Sequence, residues 1–231
     1  MSKYQHIFFD LDHTLWDYDA NAAEALHELY EVHKLEQLEA FTKQDLVAMF
    51  FEVNHKLWDL YNHHRIGRAD IRKRRFPEIF HKLRVSPEHL PATFEEEYVA
   101  LAPTKSRLFD YATEVLDYLS ARYKLHLITN GFDDIQHTKL RSSNLTPYFQ
   151  RVITSESSRS RKPNPRIFEV AFELTGADCF NSIMIGDNLD SDIAGAKRVD
   201  MDHVWFNPTR MATNVAVQHE ISNLLELKSI L

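Results

Sequence analysis

The chain has 231 residues, 44% of them hydrophobic and 26% charged, which is the make-up of a soluble globular protein with ample material for a core. A formal charge of −7 argues against non-specific binding to a nucleic acid polymer, which needs a basic face. No apolar run approaches the roughly 20 residues that span a bilayer, so no membrane association is expected. A single cysteine, Cys179, excludes an intramolecular disulfide and fits a reducing compartment. The only early apolar run is broken by Asp10 and Asp12 with no small-residue cleavage site after it, so no signal peptide and a cytoplasmic location are expected.

In chain order, the first predicted element is a short buried strand, Ile7-Phe8-Phe9, which ends in Asp10, Asp12 and Thr14. From about 17 to 103 the pattern is helical: Ala22, Ala25, Leu26, Leu29 and Val32 recur at helix spacing, as do Leu46, Met49, Phe50, Val53, Leu57 and Leu60. Ser86-Pro87 reads as a cap and first-turn proline that open a further helix through Tyr98, and Pro103 closes the section.

Beyond 104 helices alternate with short apolar strands. A helix near 110–122 precedes the strand Leu125–Thr129, and one near 133–142 precedes Val152–Thr154. Pro165–Leu174, stopped by Gly176, precedes Ser182–Gly186, and a helix at about 190–199 precedes His203–Phe206. Such alternation predicts an α/β fold with a parallel sheet covered on both faces. The expected domains are an α/β core of residues 1–16 and 104–231 and an inserted helical domain of 17–103, joined to it at two nearby crossings and able to act as a lid.

Ligands of open α/β sheets bind at the carboxyl ends of the strands, so the polar residues there carry the chemistry. Two carboxylates one residue apart, Asp10 and Asp12, suit metal-assisted phosphoryl transfer, one as nucleophile and the other as proton donor. The competing reading is an Asp-rich turn. Thr129, Asn130 and Gly131 offer a hydroxyl, an amide and close backbone approach for a phosphate, though Thr-Asn-Gly is also a common turn. Lys162, stiffened by Pro163 and Pro165, would neutralise a carboxylate or phosphoryl group; otherwise it is a solvated surface lysine. In Gly186-Asp187-Asn188-Leu189-Asp190-Ser191-Asp192, Asp187 is the natural metal ligand, Asp190 or Ser191 is placed to cap the next helix, and Asp192 stands in support. Asp10, Asp12 and Asp187 together would be three anions at one point, which calls for Mg²⁺.

DLDHT, ITNG, RKPNP and GDNLDSD, in that order along the core, resemble the four motifs of the haloacid dehalogenase superfamily. That resemblance implies a Rossmann-like parallel-sheet core with a helical-bundle cap of type one. It also implies that Asp10 forms an aspartyl-phosphate, while Asp12 protonates the leaving oxygen and then activates water. Thr129 and Lys162 would hold the phosphoryl group with help from Asn130 and Gly131. Mg²⁺ would be bound by Asp10, Asp187 and the Asp12 carbonyl, with Asp192 behind them. Phosphatases of the superfamily carry an aspartate at the position of Asp12, whereas the dehalogenases lack it. His13 departs from the glycine often found at its position. FFDLDHTLWD, LITNGF and IGDNLDSDIAGA look most like the pyrimidine 5′-nucleotidase group, so a small phosphorylated metabolite is the expected ligand.

Three functions stay open at this stage: a nucleotidase, a sugar-phosphate or phosphoglycolate phosphatase, and a non-catalytic member that binds phosphate ligands. In the helical insert, His63 to Arg75 is either a substrate-contacting turn around Gly67 with an arginine reaching the site, or a solvated helix face that balances Glu95-Glu96-Glu97. Trp16 and Phe132 could stack on a base or simply pack the hinge. Oligomeric state is not readable, because every apolar stripe already has a core role.

Overall fold

The computed structural model describes residues 3–231. The chain up to Tyr18 together with Ser106–Leu231 forms one unit, and Asp19–Lys105 forms the other. Among the described residues no helix is long and apolar enough to cross a membrane.

After strand β1 (His6–Phe9) come four helices: α1 (Tyr18–Val32), α2 (Lys43–Asn62), α3 (Arg68–Lys82) and α4 (Phe94–Leu101). Thr42 and Asp45 open α2 with a reciprocal capping box, in which the Thr42 hydroxyl accepts from Asp45 N at 3.2 Å and Asp45 Oδ2 from Thr42 N at 2.8 Å. The helices pack around Phe50, Phe76, Phe94 and Tyr98, all buried, with the Phe76 and Phe94 rings edge to face at 4.7 Å. The single helix expected from Ser86 to Tyr98 is two pieces. Pro87–His89 is one 3-10 turn whose Ser86 side chain makes no capping bond, and α4 starts only at Phe94. The residue before a proline disfavours helical backbone, so Leu90-Pro91 breaks the run.

The unit that holds β1 continues with α5 (Ala112–Ser120), β2 (Lys124–Thr129), α6 (Asp133–Ser142), β3 (Phe149–Thr154), α7 (Pro165–Thr175), β4 (Ser182–Gly186), α8 (Ala194–Arg198), β5 (Asp202–Phe206), β6 (His219–Ile221) and α9 (Leu227–Ile230). The six strands form one parallel sheet in the order β3-β2-β1-β4-β5-β6. Strand alternation divides the core. Ile7, Phe9, Leu125, Leu127, Ile183 and Ile185 face a cluster with α5 and α9, while Phe8, Ile128 and Met184 face Ile167, Phe168 and Ala171 of α7. Asn164 and Pro165 set the start of α7, with Asn164 Oδ1 accepting from Arg166 N at 2.9 Å, and Gly176 ends it at φ 72°. The helix expected at 190–199 begins as a π-helical turn, Leu189–Ile193, before α8. Its cap is neither Asp190 nor Ser191 but Asn188, whose Oδ1 accepts from both of their backbone N–H groups at 2.9 Å. The sheet order reverses between β1 and β4, which makes their carboxyl ends the expected binding crevice.

Candidate active site

Asp10 follows β1 directly, and its backbone N–H still donates to Ile185 O of β4 at 2.8 Å, so the carboxylate emerges at the point where the order reverses. The next turn folds back on itself, with Thr14, Leu15 and Trp16 all donating to Leu11 O. His13 supports that turn with φ 60°, the left-handed backbone that glycine adopts at least strain, and its departure from glycine is therefore a conformational matter.

Lys162 is the hub of the site. Its Nζ donates to Asp10 Oδ1 at 2.6 Å and to Ile128 O at 2.7 Å, and it stands 2.6 Å from Asp192 Oδ1. The lysine is 2% exposed, so the solvated-surface reading is corrected. Burial works to lower its pKa, but Asp10 and Asp192 outweigh that and hold the ammonium above the usual lysine range. Asn130, expected to help hold phosphate, instead grips the lysine's backbone: its Oδ1 accepts from Lys162 N at 2.7 Å and its Nδ2 donates to Lys162 O at 3.0 Å.

Asp10, Asp187 and Asp192 bring carboxylate oxygens within 4.8 Å of one another. Asp187 accepts from Thr14 Oγ1 at 3.3 Å, while its backbone carbonyl accepts from Trp205 Nε1 at 2.7 Å. Asp192 is fully buried and accepts from Asn188 N at 3.0 Å; a Cβ on Gly186 would lie 2.4 Å from its carboxylate, so only glycine leaves room for it. Burial first, then Lys162 pulling down and Asp192 and Asp12 pushing up, leaves the Asp10 carboxyl raised to about 7. Burial, Asp192 and Asp10 likewise drive Asp187 well above the ordinary carboxylate range. Three acids facing one ammonium leave an excess of negative charge, and an all-oxygen donor set of that kind fits Mg²⁺.

The Asp12 carboxylate is not part of that cluster. Its Oδ2 accepts from Gln136 Nε2 at 2.8 Å and its Oδ1 from Lys139 Nζ at 2.5 Å, both on α6. Anionic crowding would have put a proton on Asp12. Here burial does push its pKa up, but Lys139 and Gln136 prevail and hold it below the usual range. Thr129 ends β2 with its hydroxyl accepting from Gly131 N at 3.0 Å and from Gln136 Nε2 at 2.9 Å. A Cβ on Gly131 would meet Gln136 Nε2 at 1.8 Å, so this glycine's close approach is to a side chain of its own chain.

Neither Gln136 nor Lys139 was anticipated. Their three-residue spacing puts them on one helix face, but only the fold turns that face toward Asp12. In the helical unit, Arg75 is buried and bound to Glu95 at 2.6 Å and to Asn54 Oδ1 at 3.2 Å, and Arg74 pairs with Glu78 at 2.7 Å. Gly67 is the cap position of α3, its N–H donating to Asp70 Oδ2 at 2.8 Å. Arg75 therefore balances Glu95 of the acidic run, but from a buried position rather than a solvated face, while Arg74 pairs with Glu78 on its own helix.

A family model for haloacid dehalogenase-like hydrolases matches residues 4–200. The chain belongs to that family. Among hydrolases of known name, it is 30% identical to the pyrimidine 5′-nucleotidase YjjG of Escherichia coli, over 99% of this chain and 98% of that one. It is also 30% identical to the pyrimidine 5′-nucleotidase PynA of Streptococcus pneumoniae, over 93% of this chain and 89% of that one. The magnesium-bound crystal structure of the HAD-hydrolase YfnB from Bacillus subtilis superposes with a TM-score of 0.87 at 27% identity, covering 99% of each chain.

Proposed function

We propose that this hydrolase is a Mg²⁺-dependent phosphatase of small phosphate monoesters, working through an aspartyl-phosphate on Asp10, with pyrimidine nucleoside 5′-monophosphates as its substrates. The observation that carries the reading is the divergence of two carboxylates with a single residue between them. Asp10 joins Lys162 and the acidic cluster, whereas Asp12 turns to Gln136 and Lys139 on another element. Separated partners are what a nucleophile and a proton carrier need if they are to act on opposite bonds of one phosphorus. The nucleotide assignment draws on the two 30%-identical relatives, and the metal on the composition of the cluster and the magnesium-bound neighbour.

Asp10, Asp187 and the Asp12 carbonyl would hold the metal, with Asp192 behind them. Bound Mg²⁺ supplies positive charge to the phosphoryl oxygens and to the attacking carboxylate. Lys162 is held at Asp10 Oδ1, where it neutralises charge shared between the carboxylate and the transferring group. An Asp10 oxygen attacks phosphorus as the bond to the leaving oxygen breaks, and the proton on Asp12 passes to that oxygen. An arriving phosphate dianion adds negative charge beside Asp12 and so favours its protonated form for this step. Asp12, now a carboxylate, takes a proton from water; the water oxygen bonds to phosphorus, the bond to Asp10 breaks, and inorganic phosphate leaves. The cycle ends with Asp10 free and Asp12 protonated.

Phosphate release from a panel of nucleoside monophosphates and sugar phosphates, with Mg²⁺ and with EDTA, tests this. Mg²⁺-dependent release concentrated on pyrimidine monophosphates is expected. Release spread over sugar phosphates would remove the nucleotidase assignment, and none from any monoester would remove the phosphatase.

A further inference from the structure

We propose that Gln136 and Lys139 are positioning residues that lock Asp12 and Thr129 to each other, so that the proton carrier and the phosphoryl-binding hydroxyl address one phosphorus. The inference rests on the phosphatase reading above and extends it to two residues on α6.

The geometry is closed on every side. One Gln136 amide nitrogen donates to both Asp12 Oδ2 at 2.8 Å and Thr129 Oγ1 at 2.9 Å, so a single group sets the distance between them. A hydroxyl has two acceptor lone pairs and one proton. Gln136 and Gly131 N use both lone pairs of Thr129, which leaves its proton to point outward at a ligand oxygen. Gln136 Oε1 is buried with no hydrogen-bond partner, so the residue is placed for its N–H groups at the expense of its carbonyl. Because a carboxylate only accepts, this orientation of the amide is also the one Asp12 requires.

Lys139 fixes the other oxygen. The lysine is 4% exposed, and its ammonium lies 4.2 Å from the Trp16 ring centroid and 5.3 Å from that of Tyr18, a cationic seat on two aromatic faces. Trp16 is tied to the same turn as Asp12, since His13 N donates to Trp16 O at 3.0 Å. The ammonium is thus held from the aromatic side and from the carboxylate side together. Asp12 uses one lone-pair site on each oxygen for α6 and keeps the others for the travelling proton.

A purely structural ion pair and a positioning device predict different kinetics. Breaking an alkyl ester requires a proton at the leaving oxygen, whereas 4-nitrophenolate departs without one; both then need Asp12 as base to hydrolyse the aspartyl-phosphate. In Lys139→Met, steady-state turnover of an alkyl phosphate that the unmodified protein hydrolyses should fall about 10²-fold, with its first step rate-limiting. With 4-nitrophenyl phosphate the first step should stay within about 3-fold, so that nitrophenol appears as a burst equal to the enzyme concentration, followed by slow turnover. Gln136→Leu should show the same split together with a raised KM, because the Thr129 hydroxyl loses its orientation.

If Lys139→Met does not fold, Lys139→Arg keeps the buried charge while displacing the donor, and should show the same burst with a smaller loss. Equal losses on both esters with no burst, or no loss at all, would overturn the inference and leave the phosphatase intact. No phosphate release by the unmodified protein would overturn both.

Discussion

Each unit of this hydrolase buries charge, and the two do so with opposite bookkeeping. In the helical unit the buried Arg75 pairs with Glu95, with Asn54 Oδ1 accepting a further hydrogen bond and the Tyr98 ring 4.7 Å from the guanidinium. In the α/β unit Lys162 faces Asp10 and Asp192 directly, and Asp187 adds a third acid. A balanced pair needs nothing further and holds helices together. Burial lifts the Glu95 carboxyl above its ordinary range even beside Arg75, as it does Asp10 and Asp187, so a raised pKa does not separate the two units. The surplus of acids over cations does, and buried charge left over after pairing is what points to chemistry.

The sharpest way to break that contrast is to remove one acid from each unit. Asp10→Asn should abolish phosphate release, a loss on the order of 10⁶-fold where the nucleophile is essential. In EDTA the same variant should melt higher than the unmodified protein, because one surplus buried anion is gone. A variant with near-normal turnover would remove Asp10 as nucleophile.

Glu95→Gln should do the reverse to stability. It strands the buried Arg75 charge and should cost about 3–5 kcal/mol in denaturant unfolding. An unchanged midpoint would mean that Arg75 finds another acid and that the pair is not balanced in the sense drawn here.

Metal addition sharpens the same point from the other side. At 100 times its Kd, Mg²⁺ should stabilise the protein by about 2.7 kcal/mol in thermal unfolding. Asp187→Asn should lose most of that gain, and equal gains in both proteins would place the ion elsewhere.

The smallest effect concerns a buried base that carries no charge. His126 on β2 stacks on His6 of β1 with ring centroids 5.3 Å apart; burial, His6, Lys124 and Arg151 lower its pKa to about 4. The unfolded chain binds this proton near pH 6.5 and the folded chain only near 4, so its contribution is complete above 6.5 and is lost as pH falls through that window. After allowance for solvent screening the loss is about 1–2 kcal/mol. His126→Phe should flatten that part of the stability–pH profile; an unaltered slope would assign it to other groups.

Most of the sheet was legible because its strands are short apolar runs, and β1 to β4 each end at or run into an acid, a hydroxyl or a glycine. Strand β6 escaped because His219-Glu220-Ile221 is a three-residue edge strand with one apolar residue buried, too little pattern to read. That Asp10, Asp187, Asp192 and Lys162 come together was legible, since each lies close in sequence to a strand end or a helix start that gives it away. Gln136 and Lys139 were not, because α6 reads as a polar surface helix until the fold brings those two side chains to Asp12 in the turn after β1. Asn130 shows a subtler limit. Its place beside Thr129 suggested a ligand contact, whereas its amide matches the backbone donor and acceptor of one residue 32 positions away.

That last match has a consequence for how the protein tolerates change. Asn130 imitates a strand neighbour, pairing with Lys162 as one backbone would with another, and so splices the lysine loop onto the end of β2. Aspartate there could accept but not donate, and leucine could do neither, so each would release one or both ends of the splice. The Lys162 backbone is consequently held in register with the end of β2 when the chain folds, a gauge cut to length before any ligand arrives.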